Sequence, residues 1–345
     1  MMTLVLLGMP IVSLLACWLV IRLGVTDAPD GGRKTQKAPV PTSGGIAIFA
    51  SVAFGLGLTG DLIAIYSTEL AALLIFILLA VIIGVYDDIR GLDSKRKLVL
   101  LGAISLLAAA FGPRLGHFHM PFGPDAGYAL PAWFSVLGVG LWLFVLMNAT
   151  NFMDGANGLA MGSAAIMLIS FAILLKLLDI TDPDTDDEAI MSHLAALASA
   201  ATLGFLVWNM AGKLFAGDTG ALGMGALLGA AGLMVACRMT VWEPATLILP
   251  FLVDVFMTLI WRARARKHLF EAHRDHAYQL FLRAGWPHWK VASLWGAMTL
   301  VSGASLLALG PLFGAQAIFV LLALGIGLWI WQRATLGRQL AAEGR

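Results

Sequence analysis

Long uninterrupted apolar runs are the feature that most limits what this chain can fold into. A run of about 20 apolar residues is long enough to cross a hydrocarbon core of roughly 30 Å as an α-helix, and only helices and closed barrels span a bilayer. Many such runs follow one another here, and 59% of the 345 residues are hydrophobic while only 12% are charged. The chain is therefore predicted to be an all-α integral membrane protein.

Breaking the runs at charges, prolines and glycines predicts about eleven transmembrane helices. The predicted spans are 3–23, 44–60, 69–86, 98–112, 131–147, 158–178, 193–210, 219–238, 243–261, 290–309 and 312–332. Most connections are short, so residues 1–345 are predicted to form a single polytopic domain. The first run begins without a basic leader or a small-residue cleavage site, so we expect a retained helix rather than a signal peptide.

The basic residues lie almost entirely in alternate loops. One side of the membrane receives 19 of the 22 Lys and Arg residues, and the other side receives only Arg114, Lys176 and Arg238. By the positive-inside rule the first side is cytoplasmic. The N-terminus is then predicted outside and the C-terminus inside, as an odd number of spans requires.

Three polar, carboxylate-bearing segments interrupt the apolar pattern. They are Tyr86-Asp-Asp-Ile-Arg-Gly-Leu92, Asn148-Ala-Thr-Asn-Phe-Met-Asp-Gly-Ala-Asn-Gly158 and Ala216-Gly-Asp-Thr-Gly220. With this topology all three fall on the cytoplasmic side, together with the long connection 262–289. The sequence therefore predicts that the three segments meet on one face of the membrane and bind a metal and a phosphate.

Asn148, Asn151 and Asp154 are spaced three apart, which on a continuing helix would place them on one face. Such a stripe of oxygen-bearing side chains suits Mg²⁺, which takes few protein oxygens and keeps waters and substrate phosphates as its other ligands. The alternative is a polar helix cap followed by Gly155. A functional role is favoured because polar groups within membrane segments are costly.

Asp87 and Asp88 end the third run at the membrane boundary. A water-facing helix end is the plain interpretation, but adjacent carboxylates repel, and keeping both ionised near low dielectric favours a nearby cation. Lys97 fits equally well a phosphate contact or the positive-inside pattern. Asp218 alone would be interpreted as a helix N-cap, and it gains weight as the third acid on the same face.

Asp254 lies inside the ninth predicted span, about eight residues or roughly 12 Å from its cytoplasmic end. A charge there needs a partner or a water-filled cavity, and the sequence assigns it no role. In the loop 262–289, His273 and His276 lack a third ligand at zinc spacing. A phosphate or nucleotide contact shared with Arg274 fits them better. The isolated histidines are expected at the surface: His117, His119, His193 and His288.

Together these segments resemble the polyprenyl-phosphate N-acetylhexosamine-1-phosphate transferases, the superfamily (glycosyltransferase family 4) that includes phospho-N-acetylmuramoyl-pentapeptide transferase. Four motifs carry the resemblance in the family's order: 87–92 with Lys97-Leu98, 148–160, 215–220 and 273–279. The last of them, His273-Arg-Asp-His-Ala-Tyr-Gln279, is similar to the bacterial O-antigen-initiating branch that takes UDP-N-acetylhexosamines.

The resemblance implies transfer of N-acetylhexosamine 1-phosphate from a UDP-sugar, UDP-N-acetylglucosamine or a related one, to undecaprenyl phosphate, with release of UMP. This step would initiate cell-envelope polysaccharide synthesis of the O-antigen type. The implied cofactor is Mg²⁺, with Mn²⁺ as an alternative, and the implied location is the bacterial inner membrane with a cytoplasmic active site. The implied partners are the UDP-N-acetylhexosamine, undecaprenyl phosphate and membrane lipid; no nucleic acid is expected, and a homodimer is left open.

The same resemblance assigns roles by position. The implied magnesium ligands are Asp218 and Asn151. The implied catalytic residues are Asp87 and Asp88, an acidic pair at the lipid phosphate, and Asp154, near the nucleotide. The loop 262–289 would contribute to the substrate site, and the implied substrate-binding residues are Lys97, Asn148, His273, Arg274 and His276.

Departures from the family's pattern bear on the local shape of the loops and on sugar specificity, and two alternatives stay open. Gln36 stands where a histidine is usual, and Ala221 replaces the customary serine. One alternative is the phospho-N-acetylmuramoyl-pentapeptide transferase reaction of peptidoglycan synthesis. The other is an ion-coupled transporter, which would place charges near the midplane of several helices, whereas here the acids of the three polar segments cluster at one face and Asp254 alone lies well inside a predicted span.

Overall fold

The computed structural model describes residues 1–23, 26–27, 40–61, 67–121, 127–181, 186–268 and 273–342, so Gln36 lies outside the described part. Within these residues the chain folds into a bundle of eleven helices. They are α1 (Met2–Leu23), α2 (Gly44–Thr59), α3 (Thr68–Arg90), α4 (Ser94–Phe111), α5 (Ala132–Met153), α6 (Leu159–Thr181), α7 (Asp186–Met210), α8 (Gly217–Arg238), α9 (Trp242–Arg264), α10 (Ala277–Arg283) and α11 (His288–Ala342). Two short antiparallel ribbons pair β1 (Thr26–Asp27) with β2 (Val40–Pro41), and β3 (His117–Phe118) with β4 (Tyr128–Ala129).

The chain is an all-α multi-pass membrane protein, as predicted. Within the described ranges, 9 segments are long and apolar enough to cross a membrane, and two of them, His288–Leu309 and Gln316–Arg338, belong to α11. The other two predicted spans correspond to α2, which has only 16 residues, and to α4, whose first turn is basic. The fifth predicted span ended at residue 147 because Asn148 is polar, but α5 continues to Met153.

Helix α8 lies at the centre of the bundle. Its span is 94% buried inside the protein, against 17% for α1. Glycine and alanine recur along α8, and small residues let neighbouring backbones approach closely in membrane bundles. Gly225, for example, is so close to α5 that an added Cβ would lie 2.7 Å from Met147 Cα. This central helix therefore offers its first turn to several neighbours at once.

Two glycine contacts draw α2 and α3 onto the beginning of α8. A Cβ on Gly45 would overlap the backbone of Gly220, and one on Gly84 would come within 2.6 Å of Asp218 O. The backbone of α2 is also hydrogen-bonded there, since Gly45 N donates to Ala216 O at 2.9 Å. Three helices that are far apart in sequence consequently meet at one end of the bundle.

The C-terminal part of the chain packs as a second layer beside this centre. Helix α9 lies against α11, and the short helix α10 contacts both of them. Trp295 and Trp329, one from each span of α11, line a single apolar cleft of about 310 Å³ beside α9 and α10. The predicted loop 262–289 therefore contains a helix of its own, α10, which is held between two longer ones.

Candidate active site

Side chains from four helices meet where α8 begins. Lys97, in the first turn of α4, places its ammonium between two carboxylates: Nζ lies 2.8 Å from Asp87 Oδ2 of α3 and also contacts Asp218 Oδ1 of α8. The amide group of Asn151, near the end of α5, donates to the same Asp218 oxygen. Asp87 Oδ1 also accepts from Leu92 N–H at 2.6 Å. The three polar segments singled out in the sequence therefore converge at one end of the bundle.

Asp88 caps α8 from a different helix. Its Oδ1 accepts from Asp218 N–H at 2.8 Å, and its Oδ2 accepts from Thr219 N–H at 3.0 Å and from the Thr219 hydroxyl at 2.6 Å. The first N–H groups of a helix lack partners inside the helix, and a carboxylate there is also favoured by the helix dipole. A carboxylate from α3 therefore stabilises the start of α8.

The approach of Asp88 requires glycine at position 217. Gly217 has a φ of +71°, and an added Cβ would lie 2.6 Å from Asp88 Oδ2. Asp218 follows in the first turn of α8 instead of standing at the N-cap, so its interpretation as a plain N-cap is wrong. Its side chain is 31% exposed, which leaves the carboxylate accessible to ligands from the surrounding solvent.

Asp154 lies in the turn after α5. Because α5 ends at Met153, the predicted stripe from Asn148 to Asp154 does not continue along one helix face. Burial, followed by the negative charges of Asp218 and Asp88, raises the pKa of Asp154 to about 7. Asp154 is therefore coupled electrostatically to Asp88 and Asp218, although it lies in a turn. Together with Asp87, these carboxylates form what we call the acidic group.

Asn148 has a partner within its own helix. Its Nδ2 donates to Phe144 O, one turn earlier in α5, at 2.8 Å. Such a bond satisfies the amide locally. Among the described residues no contact joins Asn148 to the four acids, so its substrate-binding role stays a prediction.

A second group of predicted residues, around His276, joins the acidic group through Phe152. The imidazole of His276 is 3% exposed. Its ring centroid lies 5.0 Å from that of His273 and 5.9 Å from that of Phe152. The Tyr278 hydroxyl donates to Phe152 O at 3.0 Å. We call residues 273–278 the histidine segment. Because Phe152 directly follows Asn151, this segment lies against the acidic group on the α5 side.

The charge around the histidine segment comes mainly from arginines. Partial burial lowers the pKa of His273 to about 4. At pH 7 its imidazole is therefore neutral and can form hydrogen bonds but contributes no positive charge. Arg262 forms an ion pair with Asp275, and Arg333 Nη1 donates to Asp275 O at 2.6 Å. Arg274 is half-buried in the same segment. The segment is thus anchored by cations on α9 and α11.

The chemistry of the acidic group fits a divalent cation. The Lys97 ammonium already lies between two carboxylates, and carboxyl groups outnumber it. Mg²⁺ commonly binds through one or two carboxylates and completes its shell with waters and substrate phosphates. Asp218 would supply a carboxylate, and Asn151 would add its amide oxygen. In the described part of the chain no three His, Cys, Asp or Glu side chains form a ready-made metal cage. The carboxyl groups are those of Asp87, Asp88, Asp154 and Asp218.

Several contacts of the site were not predicted. Asn209, which is buried in the last turn of α7, accepts from Gly158 N–H at 2.7 Å and so holds the turn after α5. His288 was expected at the surface, but it is half-buried and its Nδ1 accepts from Asn157 N–H at 3.0 Å. A polar residue late in an apolar span was a usable sign for Asn209. Nothing local marked His288.

Comparisons with known proteins show which family the chain resembles. The profile described as glycosyl transferase family 4 matches residues 70–236. A phospho-N-acetylmuramoyl-pentapeptide-transferase of Synechococcus sp. (strain RCC307) is 31% identical over 315 residues, which are 84% of this chain and 84% of that protein. A Bacillus subtilis protein named as a probable undecaprenyl-phosphate N-acetylglucosaminyl 1-phosphate transferase is 27% identical over 290 residues, 82% and 76% of the two chains. A decaprenyl-phosphate N-acetylglucosaminephosphotransferase of Mycobacterium tuberculosis is 27% identical over 318 residues, 84% and 78%.

Proposed function

Because the chain belongs to glycosyl transferase family 4, we propose that it transfers N-acetylhexosamine 1-phosphate from a UDP-sugar to undecaprenyl phosphate, leaving undecaprenyl-diphosphate-sugar and UMP. The observation that carries the proposal is the junction of Asp87, Lys97, Asn151 and Asp218. It joins carboxylates, an ammonium and an amide from four helices at one end of a membrane bundle. A reaction between two phosphates at a membrane surface needs such a group.

The acceptor needs little help to become a nucleophile. A phosphate monoester has its second pKa near 6, so the lipid phosphate is mostly a dianion at pH 7. One of its oxygens forms the new bond to the β-phosphorus of the UDP-sugar while the bond from that phosphorus to the bridging oxygen of UMP breaks. The difficulty is the approach of one anion to another. Lys97, which already bridges Asp87 and Asp218, supplies an ammonium for the entering phosphate.

Asp218, with Asn151, would hold Mg²⁺, or Mn²⁺ in its place, and Asp154 lies beside them. When bound, the ion supplies positive charge that offsets the phosphate oxygens and orients both substrates. Asp87 fixes Lys97, and Asp88 fixes the α8 turn that carries Asp218. Both carboxylates then act by position in a single displacement, without a covalent intermediate.

The histidine segment is assigned to the donor. The imidazoles of His273 and His276 donate hydrogen bonds to the diphosphate or the sugar, and Arg274 adds a charge-assisted contact. Support comes from Phe152, which links the segment to the acidic group. The depressed pKa of His273 makes the arginine, not this histidine, the source of charge.

The site faces the cytoplasm of a bacterial inner membrane in this proposal. Support comes from the helix ends beside it: the first turn of α4 carries three basic residues, and the last turn of α9 carries two. Such an excess of Lys and Arg is typical of the cytoplasmic side. The UDP-sugar, a soluble cytoplasmic metabolite, would then reach the site without crossing the membrane.

Mg²⁺-dependent release of UMP is the test. The purified protein is incubated with undecaprenyl phosphate and, in separate reactions, UDP-N-acetylglucosamine, related UDP-N-acetylhexosamines or UDP-N-acetylmuramoyl-pentapeptide. We expect UMP from an N-acetylhexosamine donor, loss of release with EDTA, and loss in Asp218→Asn. Near-wild-type turnover by Asp218→Asn would remove that residue from the metal site.

The 31% identity to a phospho-N-acetylmuramoyl-pentapeptide-transferase favours a second candidate, the pentapeptide donor. Release of UMP from that donor alone would move the protein to this branch. A transporter would release no UMP from UDP-N-acetylhexosamines or from UDP-N-acetylmuramoyl-pentapeptide. If no donor gives UMP although undecaprenyl phosphate and Mg²⁺ are present, the transfer reaction is excluded.

A further inference from the structure

Asp254, the acid inside α9, has no direct part in the proposed reaction. Its side chain is 2% exposed. An ionised group at this position in a membrane helix is costly unless it is paired. The partners of this carboxylate are therefore the place to look for its role.

Most of those partners belong to the start of α10. Asp254 Oδ1 accepts from Ala277 N–H at 2.7 Å, and Oδ2 accepts from Tyr278 N–H at 3.3 Å. Thr258, on the same helix as Asp254, donates its hydroxyl to Oδ1 at 3.2 Å. His276 Nδ1 lies 3.4 Å from the same oxygen. The carboxylate thus takes up N–H groups that a helix start cannot satisfy internally.

The residues that Asp254 holds are those that reach the site. Tyr278 donates its hydroxyl to Phe152 O at 3.0 Å, and the His276 ring stacks against Phe152. Phe152 follows Asn151, which contacts Asp218. A continuous series of contacts therefore runs from the interior of α9, through the first residues of α10, to the acidic group.

We propose that Asp254 is a positioning residue that fixes the start of α10 and thereby holds His276 in register with the end of α5, where the donor diphosphate binds. The proposal rests on the proposed transfer function for its kinetic part only. It also separates Asp254 from an ion pathway, because the carboxylate is occupied by backbone N–H groups and a threonine hydroxyl.

Other anchors of the same segment do different work. Gln332 Nε2 donates to Ala277 O at 2.8 Å, and Arg333 donates to Asp275 O. These two hold carbonyl groups from the α11 side. Among the described residues, Asp254 is the side chain that accepts from the Ala277 and Tyr278 amides. A change at position 254 should therefore release these amides while the α11 anchors stay.

Asp254→Asn is the test variant, with Thr258→Val as its matched control. Asparagine keeps the shape but presents an NH₂ group where one acceptor oxygen stood. Valine removes the hydrogen bond that the Thr258 hydroxyl donates to Asp254 and leaves in place the two bonds that the α10 amides donate to it. Hydrogen exchange of residues 273–283 in detergent reports on the anchor directly, and steady-state kinetics with both substrates varied reports on the site.

In wild-type protein the Ala277 and Tyr278 amides should exchange slowly although they lie in a first turn. Asp254→Asn should speed their exchange about ten- to one-hundredfold, as expected for the loss of a hydrogen bond to a charged acceptor. It should lower kcat/KM for the UDP-sugar by about one hundredfold, the scale of a small misplacement of a binding group. The KM for undecaprenyl phosphate should stay unchanged, and Thr258→Val should resemble wild type.

Three results would overturn the proposal. The first is rapid exchange of both amides in the wild-type protein, a measurement that needs no variant to fold. The second is unchanged exchange in Asp254→Asn. The third is faster exchange with unchanged kcat/KM for the donor, or an equal loss for both substrates, which would make Asp254 structural only. If the wild-type protein transfers no sugar phosphate, the proposed function fails, and the exchange results still decide whether the anchor exists.

Discussion

Asp88→Asn should loosen the first turn of α8 and reduce transfer. The Asp88 carboxylate accepts three hydrogen bonds, one at Oδ1 from Asp218 N–H and two at Oδ2 from Thr219. A carboxamide has one acceptor oxygen. At best it keeps both Thr219 bonds and turns its NH₂ group towards the Asp218 N–H.

The magnitude follows from these contacts. Leaving the Asp218 N–H opposite another donor costs about 1–3 kcal/mol. Each of the two remaining bonds changes from a charge-assisted one, about 1.5–3 kcal/mol, to a neutral one, about 0.5–1.5 kcal/mol. The free energy of opening the first turn of α8 should therefore fall by about 3–6 kcal/mol, which is a factor of about 10² to 10⁴ in the population of the open turn.

Hydrogen exchange of a peptide that covers residues 217–222 measures this opening, and UMP release measures its effect on transfer. Asp93→Asn is the control, because Asp93 also caps a helix, α4, but is exposed, and asparagine is an equally good N-cap there. Unchanged exchange at Asp218 and Thr219 would refute the capping argument. Near-wild-type turnover by Asp88→Asn would separately refute the positioning role of Asp88 in transfer.

Three further changes test other parts of the structure. Gly45→Ala should lower the thermal unfolding temperature in detergent, because the new Cβ overlaps the backbone of Gly220 and overpacking costs about 1–3 kcal/mol. Gly102→Ala is the control: it has open space around it and should not lower that temperature. Equal effects of the two changes would contradict the close approach of α2 to α8. His273 has a folded-state pKa of about 4, below its value of 6.5 in unfolded chains, so its contribution to stability is present above pH 6.5 and is lost as the pH falls towards 4. His273→Gln should therefore lose less stability than wild type between pH 6.5 and pH 4. If the unfolding free energies of variant and wild type fall in parallel over this range, the low pKa of His273 is refuted. The pKa of Asp154 is about 7, so below pH 7 a metal ion that binds beside it must displace its proton. The Mg²⁺ concentration for half-maximal UMP release should therefore rise as the pH drops from 8 to 6, and Asp154→Asn should flatten this dependence. The same dependence in variant and wild type would show that Asp154 lies apart from the metal.

The transmembrane layout was predictable because the hydrocarbon core fixes a length and forbids unpaired backbone groups. Each predicted span corresponds to a helical segment, and the main errors lie at ends where polar residues continue a helix. Asn148 and Asn151 are examples, since α5 carries both before it ends at Met153. Convergence of the acidic segments was also predictable, because alternating loops bring them to the same side.

The pairing of individual side chains was not predictable. Asp88 and Thr219 are 131 residues apart in sequence, and the hydrophobic pattern carries no information on which of several acids meets the start of α8. Asp254 could be recognised as a buried charge in need of a partner. Its partners, the amides of Ala277 and Tyr278, are backbone groups, and residue type does not mark them.

The glycine contacts at the start of α8 also set an order of events during synthesis. Gly45 and Gly84 are made before the backbone that they pack against, around Gly220, because the described helices α4 to α7 lie between Gly84 and α8 in the chain. Until then Asp88 has no α8 amides to accept from, and of the two carboxylates that Lys97 pairs with in the described part of the chain, Asp87 alone has been made. A nascent chain in which α8 has not yet been made therefore carries three of the four acids, Asp87, Asp88 and Asp154, without the site itself, and in the proposed function metal or phosphate binding would begin only when the central helix inserts.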